Sequence, residues 1–154
     1  MSGKTYIDTG ILVKGYVKEA DSLEAIAILE AAGFPLLFSH IHEIEIPNAI
    51  RLKRFRGEIA KDDEAAAIGD FRDDITAGRL VKADYDLAEV FRRAEKLSSK
   101  HSGDIGTRSF DLLHVAAALE AGCVVFASFD ERQRKCAALA GLKLTPAKLA
   151  RKKP

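Results

Sequence analysis

Five short apolar runs, separated by stretches of helical spacing, set the frame within which this chain can fold. The runs are residues 4–8, 35–39, 79–83, 123–128 and 142–146. Apolar strands that alternate with amphipathic helices argue for a parallel sheet covered by helices on both faces. Between the runs, periodicity predicts helices over 22–33, 40–59, 61–77, 86–100, 110–122 and 130–141. A weaker one begins in "TGILVKGYVKE", where Gly15 interrupts the pattern. Ser22 suits a cap and Gly33 a stop for the helix at 22–33, and Asp130 can cap the helix at 130–141. Pro47 falls inside 40–59, where a proline removes a backbone hydrogen bond and kinks the chain. The polar "HSGDIGTRS" (101–109), with two glycines, is expected to be a loop.

A chain of 154 residues suits one domain with a sizeable core. With 47% hydrophobic and 31% charged residues it reads as an ordinary globular protein rather than a disordered one. A net charge of +1 neither demands nor excludes nucleic acid, because binding depends on where the charge sits. Two cysteines, Cys123 and Cys136, without paired Cys or His partners do not make a zinc site. No stretch approaches 18 apolar residues and the N-terminus lacks a signal-peptide core, so a cytoplasmic location with no membrane contact is expected.

Ligands of open parallel sheets bind outside the carboxyl ends of the strands. Four acids fall at such places: Asp8 ends the first strand, Glu45 lies on the helix after the second, Asp111 is in the first turn of the helix at 110–122, and Asp130 follows "CVVFAS". Each has an everyday role: Asp8 and Asp130 as helix caps, Asp111 as a complement to a helix dipole, Glu45 as a solvated residue beside Glu43. Gathered together, they would repel one another unless a cation stood between them. Hard cations such as magnesium take oxygen ligands, and such a site can activate water for phosphodiester hydrolysis.

Four stretches, "YIDTGILVKGYV", "SHIHEIEIPNAIRLKRFRGEI", "TRSFDLLHVAAALEAG" and "VFASFDERQRKCAALAGL", resemble in order the motif regions of PIN-domain nucleases. The likeness is greatest to the VapC-type toxins of type II toxin–antitoxin pairs. It implies an α/β fold, a three-layer α/β/α sandwich with a mainly parallel sheet of about five strands. It implies a single nuclease domain over 1–146 and a basic tail over 147–154. It further implies an endoribonuclease dependent on Mg2+ or Mn2+, with Asp8, Glu45, Asp111 and Asp130 as metal ligands and Glu43 as the rival to Glu45. Thr9 and Ser128 match the hydroxyl residues that support the site. An RNA substrate, a homodimer and a cognate antitoxin are implied as partners. Two residues depart from the pattern: Gly10 stands where a hydroxyl residue is frequent, and Pro47 stands beside Glu45.

Around these acids, Arg108 either holds a scissile phosphate or pairs with a carboxylate, the ion pair being favoured. His114 suits packing or hydrogen bonding better than magnesium ligation, and His40 and His42 are expected to be exposed. The basic run Arg51, Lys53, Arg54 and Arg56 normally means a solvated face. Beside a nuclease site, Lys14, Arg51 and Arg54 would instead track RNA phosphates, helped by Lys148, Arg151, Lys152 and Lys153 in the tail. Two other classes fit less well. One is a PIN fold acting as an RNA- or protein-binding module without catalysis. The other is a phosphatase with Asp8 as nucleophile, which would want a second aspartate where Gly10 stands.

Overall fold

The computed structural model describes residues 3–150. In chain order its elements are β1 (Thr5–Ile7), α1 (Thr9–Lys14), α2 (Ser22–Ala32), β2 (Leu36–Phe38), α3 (His40–Phe55), α4 (Lys61–Thr76), β3 (Leu80–Lys82), α5 (Leu87–Leu97), a π-helical turn (Ser98–Ser102), α6 (Gly103–Ile105), α7 (Ser109–Glu120), β4 (Val125–Ala127), α8 (Glu131–Leu139) and β5 (Lys143–Thr145). They fall into two compact units, one built from the chain up to Asp8 and from Asp84 onward, the other from Thr9–Ala83. The α/β class with parallel pairing is the one expected. The strands form a three-stranded sheet and a two-stranded sheet rather than one continuous sheet.

In the first unit the strand order is β1–β4–β5, all parallel. Parallel neighbours need a crossover, and α8 supplies the one between β4 and β5. Tyr6 lies opposite Phe126 in the register, and the two fully buried rings stack with centroids 5.6 Å apart. The Tyr6 hydroxyl is hydrogen-bonded to His114 Nδ1 at 2.7 Å, which makes His114 a buried core residue satisfied by a neighbour. Helix α7 is buried on most of its circumference, and Ala116, Ala117 and Ala118 leave room for close packing. Its neighbour α5 turns Val90, Ala94 and Leu97, spaced by four and three residues, to the interior. Cys123 and Cys136 are buried free thiols, and burial pushes each up to about 11, so both are neutral core side chains. The stretch expected as a loop at 101–109 is instead largely the π-helical turn and α6, continuing from the end of α5.

In the second unit β2 and β3 pair in parallel, Leu36 opposite Leu80. Helix α1 packs on α2 and α3, and α3 packs on α4, with Ile46 and Ile50 fully buried. Ser39 starts α3 through a reciprocal cap. The His42 backbone N–H donates to Ser39 Oγ (3.4 Å) and the Ser39 N–H donates to His42 Nδ1 (2.9 Å), so the imidazole plays the part a glutamate usually takes. His42 is therefore buried rather than exposed. Pro47 does not end α3, which runs on to Phe55. The helix stops there, short of residue 59, because Gly57 adopts the left-handed conformation (φ 74°) and lets the Glu58 N–H reach the Lys53 carbonyl at 2.9 Å. Ser22 is the first residue of α2, and its hydroxyl accepts from the Glu19 N–H at 2.7 Å.

The Tyr16 hydroxyl donates to Asp74 Oδ2 at 2.7 Å, and burial, reinforced by that carboxylate, pushes its pKa far above the ordinary tyrosine value. Tyr16→Phe is expected to cost about 1 kcal/mol, read as a lower urea midpoint, because Asp74 keeps a partner in Arg79 at 3.2 Å. No helix among the described residues is long and apolar enough to cross a membrane.

Candidate functional site

Three of the four expected acids, Asp8, Asp111 and Asp130, belong to the first unit. Sheet register brings the first of them to its partner. Ile7 lies opposite Ala127, and the Asp8 N–H extends the ladder by donating to the Ala127 carbonyl at 2.9 Å. The residues that follow on each strand, Asp8 and Ser128, thus emerge side by side at the carboxyl ends. Ser128 Oγ donates to Asp8 Oδ2 at 2.5 Å, and both residues are buried.

The same Ser128 oxygen accepts the Asp130 N–H at 3.0 Å. Asp130 is extended (φ −80°, ψ 118°) and caps α8, its Oδ1 accepting from the N–H groups of Arg132 (2.9 Å) and Gln133 (3.0 Å). That cap fixes the first turn of α8 and aims Gln133 at α7, where its Nε2 donates to Asp111 Oδ1 at 3.0 Å. Gln133 Oε1 lies 3.5 Å from Ser128 Oγ, whose single hydrogen is committed to Asp8.

Asp111 is 2% exposed and sits in the first turn of α7. Its Oδ2 accepts from the backbone N–H of Arg108 (3.2 Å) and from the Arg108 Nε (3.2 Å). Arg108 Nη2 is also 3.6 Å from Asp130 Oδ2. Arg108 thus forms the ion pair favoured for it.

Two residues that sequence patterns do not single out hold this arrangement together. Gln133 stands three positions after Asp130, one helical turn on, and links it to Asp111. Arg134 is buried, and its guanidinium donates to the carbonyls of Ser128 (2.9 Å), Pro146 (2.7 Å) and Ala147 (3.3 Å). Burial lowers its pKa from the usual arginine value. It pins the strand-to-helix turn that carries Ser128.

Glu45 lies in the second unit, half-buried on α3, where Thr9 Oγ1 donates to its Oε1 at 2.8 Å. Thr9 therefore supports Glu45. Glu43 is turned to Lys82 on β3 at 2.6 Å. The basic run on α3 is largely compensated locally: Lys53 pairs with Glu19 and Glu58, Arg54 with Glu64, and Arg56 with Glu58. Lys14 pairs with Glu19 and Asp21. Arg51 is exposed and makes no ion pair among the described residues. Lys148 is exposed, and Arg151, Lys152 and Lys153 lie outside the described residues.

Among the described residues, no three His, Cys, Asp or Glu side chains form a group ready to hold a metal ion. The local bonding shows what stands among the carboxylates: Ser128 at Asp8, Gln133 and Arg108 at Asp111, backbone N–H groups at Asp130. The donor set itself fits a hard cation. It is all carboxylate oxygen, and a guanidinium already sits as a cation against two of its members.

Comparison with known proteins gives one family. The model described as the PIN domain matches residues 5–139, most of the chain. A search of curated proteins finds no match.

Proposed function

The chain belongs to the PIN domain family, a nuclease fold whose members are generally metal-dependent ribonucleases, and from that premise we propose that it is an endoribonuclease using Mg2+ or Mn2+. Asp8, Asp111 and Asp130 would hold the cation, and their linkage through Ser128 and Gln133 is the observation that carries this assignment. When bound, the cation supplies charge stabilisation for hydrolysis of a phosphodiester bond. Glu45 is the further acid that the motif resemblance implies, and within its own unit Thr9 Oγ1 holds its carboxylate. The chain's own contribution is positioning. Register, cap and the Gln133 hydrogen bond hold these carboxylates before substrate arrives, so the carboxylates themselves have little left to reorganise.

The toxin role in a toxin–antitoxin pair, with a homodimer and an antitoxin as partner, rests on the VapC-type motif resemblance. The identity of the neighbouring gene tests it. For RNA contact we place Arg51 ahead of Lys14 and Arg54, since both of the latter are already in ion pairs.

The direct test is cleavage of RNA with mapped ends by the purified protein. Activity is expected with Mg2+ or Mn2+ and is expected to vanish in EDTA; activity that persists in EDTA overturns the proposal. Ser128→Ala removes the hydroxyl that holds Asp8 and is expected to weaken Mn2+ binding roughly ten- to a hundredfold, as measured by titration. Unchanged affinity would remove Ser128 from the site.

A further inference from the structure

Arg108 starts in extended backbone just before α7 (φ −83°, ψ 159°). From there its side chain folds back over Asp111, three residues on, and reaches Asp130 at the start of α8. The two carboxylates it touches divide their oxygens in the same way. Asp111 gives Oδ1 to Gln133, and Asp130 gives Oδ1 to the α8 N–H groups. The oxygen that each turns to Arg108 is Oδ2. The protein holds the Oδ1 edges, the Arg108 backbone N–H also reaches Asp111 Oδ2, and the guanidinium lies against the Oδ2 edges of both acids.

A cation entering between these two acids meets the same Oδ2 atoms. Arg108 and a divalent ion therefore compete for one pair of oxygens. The burial is lopsided: the Asp111 side chain is 3% exposed and that of Arg108 64%. The carboxylate is fixed, and the guanidinium lies on the solvent side. An ion pair with one partner so exposed is weakly held, because water and salt screen it and a long side chain must be ordered to make it. A divalent ion brings twice the charge and binds the oxygens directly.

We propose that the Arg108 guanidinium is an internal stand-in cation, which compensates Asp111 and Asp130 in the metal-free protein and must be displaced from their Oδ2 atoms when the metal binds. Arg108 is then a positioning residue that sets metal affinity. This rests on the metal-dependent reading above. Two consequences follow from linkage. The apparent metal affinity is lowered by the fraction of molecules in which Arg108 occupies the pair. The metal-free protein is spared part of the repulsion between its carboxylates.

The direction of the effect separates competition from scaffolding. If Arg108 merely organised the two acids, its removal would disorder them and weaken metal binding. If it competes, removal strengthens binding. The experiment is a Mn2+ titration of the full chain without RNA, by calorimetry or by the spin-resonance signal of free Mn2+, on wild type, Arg108→Gln and Arg108→Lys. Arg108→Gln is expected to bind Mn2+ roughly three- to tenfold more tightly, with the gap narrowing as KCl is raised. Arg108→Lys keeps the charge without the fork and is expected between the two. In EDTA, Arg108→Gln is expected to melt below wild type and to gain more on adding Mn2+.

Equal or weaker binding by Arg108→Gln, with wild type binding Mn2+, overturns the competition and leaves the metal-dependent assignment standing. Arg108→Lys binding as tightly as Arg108→Gln overturns it too, since the charge would then not matter. If folded wild type and both variants all fail to bind Mn2+, the metal-dependent assignment falls and this proposal with it.

Discussion

Asp111→Asn is expected to lower RNA cleavage by roughly a hundred- to a thousandfold or more, with the protein still folded. The substitution keeps size and planarity and removes the charge. Asp111 is almost fully buried, and both of its oxygens are acceptors: Oδ1 for Gln133 Nε2, Oδ2 for the Arg108 N–H and Nε. An asparagine can keep its carbonyl toward the Arg108 N–H and so retain the start of α7. Its new NH2 then faces Gln133, whose amide can rotate to present oxygen instead. The fold keeps its hydrogen bonds, while the acidic set loses an anion that cannot be replaced. The lost ion pair is a small term for stability, about 1 kcal/mol or less, because Arg108 is mostly exposed. Cleavage rates on one RNA, compared with the melting curve of the same samples, check both halves. An Asn variant that is folded and cleaves at the wild-type rate would remove Asp111 from the chemistry.

Asp111 is legible in the sequence and Gln133 is not, for a physical reason. Acids past the ends of apolar runs stand out because a parallel sheet presents its strand ends to ligands. Asp8 and Ser128 need nothing more than the register between β1 and β4 to meet. Asp130 is readable as a cap, and it is one. A glutamine in the first turn of a helix carries no such signal. Its role exists only because α8 approaches α7, a tertiary fact. Arg134 carries no signal either: it stands among charged residues in "DERQRKCAALAG", yet it is buried with carbonyls as partners.

The fold shows the same division. The helix with clear apolar spacing over 86–100 and the one with an aspartate cap over 130–141 appear as α5 and α8, within a few residues of their expected limits. Pro47 does not break α3, because the burial of Ile46 and Ile50 on either side outweighs one missing backbone bond. The polar stretch at 101–109 forms a π-helical turn and α6, since glycine and charge mark exposure and not the absence of a turn. Two short sheets in place of one leave no mark in the sequence. Strand composition reports burial, whereas pairing depends on register between distant segments.

Arg134→Met carries the largest expected effect on stability, about 3 kcal/mol, and it also tests how the turn after β4 is held. Methionine fills much of the same buried volume, so packing is nearly conserved and the hydrogen bonds are what is lost. Three carbonyls then lose a charged donor, those of Ser128, Pro146 and Ala147. Each buried acceptor left unpaired costs about 1–3 kcal/mol, with the solvent-facing ones at the low end. For a chain of this length that corresponds to a fall in Tm of roughly 6–12 °C. Arg134→Lys should recover only part of it, because one ammonium cannot serve carbonyls on both the β4–α8 turn and the exit of β5. The consequence passes to the acidic set through Ser128, whose carbonyl Arg134 holds and whose hydroxyl binds Asp8. Mn2+ binding measured below the lowered Tm should therefore weaken along with stability. A variant that melts within about 1 °C of wild type would show that water replaces the guanidinium at no cost, and the turn would then owe its shape to the Asp130 cap alone.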